Sequence, residues 1–195
     1  MVGGAGKALT DKQWRYECIL AHKGSISTLI QETGYKLLTH WYNTPDKLHR
    51  WNPQTPPTCW RCQTERGTLL HIWWECRLIA PFWDKITHLI RKITETELSL
   101  DAACCLLHVN QLTLQTYKHS LTKHLINAAR SLVPIHWRST KIPTMIDWLK
   151  KVGAVWEMED TVAQEHSRVE AFQTTWRPWI IFRYSQEYDD IMQTT

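Results

Sequence analysis

Residues 59–76 read Cys59-Trp-Arg-Cys62-Gln-Thr-Glu-Arg-Gly-Thr-Leu-Leu-His71-Ile-Trp-Trp-Glu-Cys76. Cys59, Cys62, His71 and Cys76 thus stand in the pattern Cys-x2-Cys-x8-His-x4-Cys, four metal-competent side chains within 18 residues. Three thiolates and an imidazole make a tetrahedral donor set for Zn²⁺ with every position filled by protein. Cys-x2-Cys is the tight turn of zinc ribbons and knuckles, and Gly67 lets the longer middle stretch turn. A filled set leaves no position for an activated water, so such a metal holds a fold or grips a partner. The competing reading is four unrelated core residues.

Working outward, 195 residues suffice for one domain or two small ones, with a core that needs no staples. No apolar run approaches the roughly 18 to 20 residues of a membrane span, and Met1 to Thr10 lacks the apolar middle of a signal peptide. The default is therefore the cytoplasm or nucleus, with six reduced cysteines and no disulfide framework. The net charge of +4 hides an asymmetry. Residues 1–152 carry 20 Lys/Arg against 11 Asp/Glu, while residues 153–195 carry 3 against 8. A basic body suits a polyanion, and an acidic tail suits an internal mimic or a protein contact; ordinary surface variation is the bland alternative.

Helical spacing dominates the rest. Leu29, Ile30, Tyr35, Leu37, Leu38 and Trp41 predict a helix from about Ser25 to Tyr42, ended by Thr44-Pro45. A short turn with Leu48 and Trp51 and a proline-rich connector lead into the motif. After it, Phe82, Trp83, Ile86, Leu89, Ile90 and Ile93 form the best amphipathic stripe, with Pro81 suited to a first helical position. Residues 100–108 predict a buried turn of helix. A helix from about Thr113 to Val133 would bury Tyr117, Leu121, Leu125, Ala128 and Leu132, put Lys123, Asn127 and Arg130 on another face, and end at Pro134. Another starts at Ile142-Pro143-Thr144, with Ile146, Leu149 and Val152 inward and Lys150 and Lys151 outward. The last runs from about Gln164 into the 180s with a kink near Pro178. The predicted fold is mainly α, a helical domain with a small zinc-bound knuckle inserted between helices. Its segments are 1–24, a leading junction; 25–57, helix and connector; 58–77, the knuckle; and 78–195, a helical C-terminal region with an acidic tail.

Twelve tryptophans are heavy use. Core packing is the likelier role for most, including Trp41 and Trp51, while Trp176 and Trp179 are candidates for an exposed contact pair. Within the motif, Trp73 and Trp74 fit a core that docks the knuckle on the next helix, and Trp60 is open to either packing or base stacking. Lys47, Arg50, Arg61, Arg66 and Arg77 surround the motif and are candidates for phosphate contacts. Lys118, Lys123, Arg130, Arg138, Lys141, Lys150 and Lys151 form a second basic group. No Gly-rich phosphate loop, His-Glu-x-x-His or Gly-x-Ser-x-Gly occurs, and Tyr188-Asp189-Asp190 reads as solvated tail acids.

The strings THWYNTPDKLHRW, CWRC, GTLLHIWWEC with the following PFW, and PTMIDWLKKV, spread from about Thr10 to Trp176, resemble the C-terminal cysteine-rich segment of the second-open-reading-frame protein of long interspersed, non-LTR retrotransposons. That protein is an endonuclease and reverse transcriptase. The resemblance implies a helical tail following the polymerase domain, with a zinc-knuckle-like motif at Cys59, Cys62, His71 and Cys76 that contacts element RNA or target DNA. Neither the endonuclease nor the polymerase lies in this chain, so neither activity transfers, and the chain reads as a fragment or truncated copy. The expectation is a non-catalytic nucleic-acid-binding segment. Its partners are RNA or single-stranded or target DNA, with no membrane partner. The alternatives are a module bracing the polymerase domain, or a relic without selected function.

Overall fold

The computed structural model describes residues 10–23, 25–97, 99, 101–108 and 116–194. In chain order the helices are α1 Asp11–Lys23, α2 Thr28–Leu38, α3 Pro45–Trp51, α4 Ala80–Thr94, α5 Ala102–Leu107, α6 Thr116–Leu132, α7 Met145–Glu165, α8 Val169–Arg183 and α9 Gln186–Gln193. A π-helical turn covers His71–Glu75 and a 3₁₀ turn covers Val133–His136. The fold is mainly α as predicted, and among the described residues no strand longer than an isolated bridge occurs.

α6 is the hub: α2, α4, α5, α7 and α8 all pack on it. Its Leu121, Leu125, Ala128 and Leu132 are buried, as their spacing predicts. The α4 stripe from Phe82 to Ile93 is buried throughout, with Pro81 in the first turn of the helix. α7 begins as expected, with Thr144 and Asp147 forming a capping box. Trp148 is buried and donates from its indole to the Leu125 carbonyl at 3.0 Å, joining α7 to α6. One apolar core draws residues from 25–57, 58–77 and 78–195 alike. Among the described residues no helix is long and apolar enough to cross a membrane.

Several expectations shift. The helix predicted over 25–42 ends at Leu38, and Thr44-Pro45 opens α3 instead of closing α2. The Thr44 hydroxyl accepts the Lys47 N–H at 3.1 Å, and proline is preorganised for a first helical turn. The expected turn with Leu48 and Trp51 is therefore helical. α1, which shows no clean apolar stripe, packs on α2 within what reads as a junction. Asn127 and Arg130 are buried, because α2 and α5 cover that side of α6. Arg130 and Asn127 lie 2.7 and 3.0 Å from the His108 Nε2. The final break falls after Glu165, with Ser167 at φ 54, while Pro178 sits inside α8. Residues 1–9, Leu100, the expected helix start at 113–115 and the Tyr117 side chain lie outside the described residues.

Trp176 and Trp179 are 1% and 0% exposed, so they form no contact pair on the surface; α8 turns both against its neighbours. Trp179 meets Trp148 edge-on, and Tyr188 of α9 packs on Trp179 and Phe182. The tail is thus a folded helix, capped by Ser185, and its Glu187 pairs with Lys92 at 2.7 Å.

A polar seam lies where α6, α7 and α8 meet. The Trp176 indole donates to Glu159 at 3.2 Å and stacks on His124, whose Nδ1 is 3.2 Å from the other Glu159 oxygen. Burial, and then the nearby Lys123 charge, push His124 down to about 3. Burial pushes Glu159 up to about 7 against the opposing pull of Trp176 and Lys123. His124 therefore contributes stability that is complete above its ordinary 6.5 and is lost as the pH falls towards 3. Glu159 has the opposite sign, with its contribution complete below 4.5 and lost as the pH rises towards 7. Where the two windows overlap, between 4.5 and 6.5, the slopes oppose, and below 4.5 that of His124 stands alone. Because Glu159 titrates in both proteins, the Tm gap between wild type and His124→Gln should close steadily as the pH falls from 6.5 to 3. A gap constant over that range contradicts the assignment.

Candidate metal centre

The first two donors sit on a tight loop. Thr58 and Arg66 form an antiparallel bridge; the Cys59 N–H donates to the Glu65 carbonyl at 2.7 Å and the Gly67 N–H to the Pro57 carbonyl at 2.8 Å. Inside it the Gln63 N–H closes on the Cys59 carbonyl at 2.9 Å, and Gln63 takes a left-handed φ of 55. Gly67 serves close approach: a Cβ there would lie 2.6 Å from Cγ of Pro45, the first residue of α3. The Asp46 N–H also donates to the Gly67 carbonyl at 3.2 Å, and Asp46 pairs with both Arg66 and Arg50. Burial works to raise the Asp46 carboxyl, but those guanidinium bonds outweigh it and hold it below the ordinary range.

The other two donors sit on the π-helical turn. The Cys76 N–H donates to the His71 carbonyl at 2.8 Å, five residues back. On an α-helix, residues five apart point about 140° away from one another. The wider turn brings them back over each other, so His71 and Cys76 face the same point. The turn is anchored at its start and at its middle residue. The Thr68 hydroxyl accepts the His71 N–H at 3.1 Å, and the Trp83 indole of α4 donates to the Trp73 carbonyl at 2.6 Å.

Cys59, Cys62, His71 and Cys76 are all buried, and their donor atoms lie within 4.8 Å of one another. Cys59 Sγ is 3.9 Å from Cys76 Sγ, and Cys62 Sγ is 3.4 Å from His71 Nε2. A tetrahedral site with metal–sulfur bonds of about 2.3 Å and metal–nitrogen bonds of about 2.0 Å has edges of about 3.8 and 3.5 Å. These two spacings match and the whole set lies within 4.8 Å, so these four residues could hold a metal ion. The other imidazole nitrogen, Nδ1, faces Glu65 at 3.3 Å, the partner that fixes the orientation of a metal-bound histidine. Glu65 went unread in the sequence; its signal is a carboxylate within the loop that also carries the thiols.

Arg61 explains why the cluster suits thiolates. It is 3% exposed and donates to the Ile72 carbonyl at 2.6 Å, but its Nε and second terminal nitrogen have no hydrogen-bond partner among the described residues. A buried guanidinium is costly unless a negative charge answers it. Burial lowers its pKa, and the Cys59 and Cys76 sulfurs oppose that shift. Three thiolates around a divalent cation and a neutral imidazole leave one net negative charge, which Arg61 compensates. Burial also raises the Cys59 thiol to about 11. At Cys62 burial acts the same way, but bonds from the Thr64 hydroxyl and the Glu65 and Thr64 N–H groups reverse it and hold the thiol near 5.

The remaining sequence-predicted residues divide. Arg50, Arg66 and Arg77 are exposed and Lys47 is half-buried, whereas Arg61 points inward and presents no free charge for a phosphate. Trp60 is half-buried, edge-on to Trp137, with the Arg138 guanidinium 5.6 Å above its ring. Trp73 is buried and Trp74 packs on Trp83, as their positions predict. No family model matches the chain.

Three outcomes test this arrangement. Glu65→Gln should weaken metal affinity about 10- to 100-fold in chelator competition. Arg61→Met should also weaken it, with Arg61→Lys recovering part; wild-type affinity in Arg61→Met contradicts charge compensation. Gly67→Ala should destabilise the chain by about 1–3 kcal/mol in denaturant unfolding, because the Pro45 ring has to move.

Proposed function

We propose that this chain is a non-catalytic, zinc-stabilised module that binds single-stranded nucleic acid, and that it corresponds to the C-terminal segment of a non-LTR retrotransposon reverse transcriptase. The observation that carries the reading is a buried four-donor cluster at Cys59, Cys62, His71 and Cys76 with open basic side chains around it. Three sulfurs and one nitrogen at tetrahedral spacing favour Zn²⁺ over the hard oxygen-seeking cations. With all four positions filled by protein, the ion's role is to tie the knuckle to the core. Lys47, Arg50, Arg66 and Arg77 are the cations available to phosphates on this side of the molecule. The quoted strings around the ligands support the parentage, and RNA or target DNA is the corresponding partner.

Protein purified without chelator should carry one zinc per chain, and Cys59→Ser should lose it together with the local fold. Binding of a short single-stranded RNA should weaken about 50-fold between roughly 50 and 200 mM salt if four phosphates are contacted. Metal-free protein with all thiols titratable overturns the zinc assignment. Salt-insensitive binding, or none at micromolar protein, overturns the nucleic-acid assignment.

A further inference from the structure

Most of the twelve tryptophans are buried or half-buried, but Trp41 and Trp51 are each 64% exposed. One ammonium group ties the segments that carry them. Lys47 Nζ lies 5.0 Å from the centre of the Trp51 ring and donates to the carbonyl of His40, the residue before Trp41, at 3.3 Å. Two open indoles therefore stand on either side of the turn between α2 and α3, with a cation at that turn. Indoles left in water expose large apolar area, and an exposed cation–π pair is worth only about 0.5–1 kcal/mol. Internal packing therefore does not account for this placement.

The surroundings specify the occupant. Arg50 lies one turn further along α3 and Arg66 on the adjoining loop, both paired with Asp46, with side chains 67% and 57% exposed. Lys47, Arg50 and Arg66 against Asp46 and the neighbouring Glu65 leave a net positive local charge. Aromatic faces interleaved with cations match an unpaired strand, whose bases stack while its phosphates meet the ammonium and guanidinium groups. A duplex keeps its bases stacked on one another and offers no such faces. An apolar protein partner gains nothing from the row of cations.

We propose that Trp41 and Trp51, with Lys47 at the turn that joins them, form the base-stacking platform of this chain for single-stranded nucleic acid, in place of Trp60, whose ring is half-buried beside Trp137 and Arg138. The proposal rests on the nucleic-acid reading above and names the residues that give it preference for unpaired strands. Because both rings are exposed, alanine there leaves the core and the metal centre intact, which zinc content and circular dichroism verify.

The test is fluorescence anisotropy with a short labelled single-stranded RNA and the matching duplex, at fixed salt, on the full chain. Trp41→Ala and Trp51→Ala should each weaken single-strand binding at least about five-fold, and the double variant more than about 20-fold. Duplex affinity should change less than about three-fold, and Trp51→Phe should retain most of the binding. Wild-type single-strand affinity in the double variant overturns the platform and leaves the nucleic-acid reading standing. Equal losses on single strand and duplex overturn stacking as the mode. Absence of any binding by the wild-type chain overturns both readings at once.

Discussion

A turn of helix that closes on the residue five back, in place of four, changes which side chains meet. In this chain that closure is the bond from the Cys76 N–H to the His71 carbonyl. Without it, an α-turn would carry one of the two donors away from the thiols by more than a right angle. With it, the turn completes a four-donor cluster and aims Trp73 into the core, where Tyr42 and Trp137 pack on its ring. The Trp83 indole then takes the Trp73 carbonyl, so the wide turn is clamped by α4. Widened turns are poor local minima, and tertiary partners hold this one in place.

The knuckle is consequently part of the fold's interior. Arg61 connects its loop to the π-helical turn through the Ile72 carbonyl and places a positive charge beside the thiols. The Trp137 indole reaches the Asn43 carbonyl at 3.1 Å, so the connection between α6 and α7 closes over the same side. A cation in this cluster would answer the thiolates, leave one net negative charge for Arg61 to meet, and fix His71 against Glu65 together. Its binding energy would spread into the helical core and not stop at a local loop.

What was legible in the sequence was short-range. The ligand set could be read because all four donors lie within one stretch, and the stripes of α4 and α6 because their period is regular. The π-helical turn could not be read from periodicity, although His-x4-Cys encodes a five-residue spacing that an α-helix cannot serve. Facing was the other blind spot. Arg61 looks like a phosphate ligand by type and place, and only the packing of the π-helical turn over it turns it inward. Trp176 and Trp179 lie on a helix of mixed polarity whose inner side is set partly by α4 and α6, elements distant from it in sequence.

The same facing problem separates the tryptophans that hold the fold from those left in water, and the separation follows from how α3 is seated. Gly67 lets Pro45 approach the loop to within a distance no larger residue would tolerate, and Asp46 then fixes the first turn through Arg66 and the Gly67 carbonyl. Seven residues cannot form a stable helix alone, so α3 borrows its geometry from the loop that carries Cys59 and Cys62. Trp51, at the far end of α3, projects into solvent because the near end is spent on the knuckle. Lys47, one turn earlier, is held between Trp51 and the His40 carbonyl by the same seating. The order of the donor loop and the position of the exposed indoles are therefore linked through three residues, Pro45, Asp46 and Gly67. A cation that held this loop would therefore act on the seat of α3, and through it on Lys47 and Trp51.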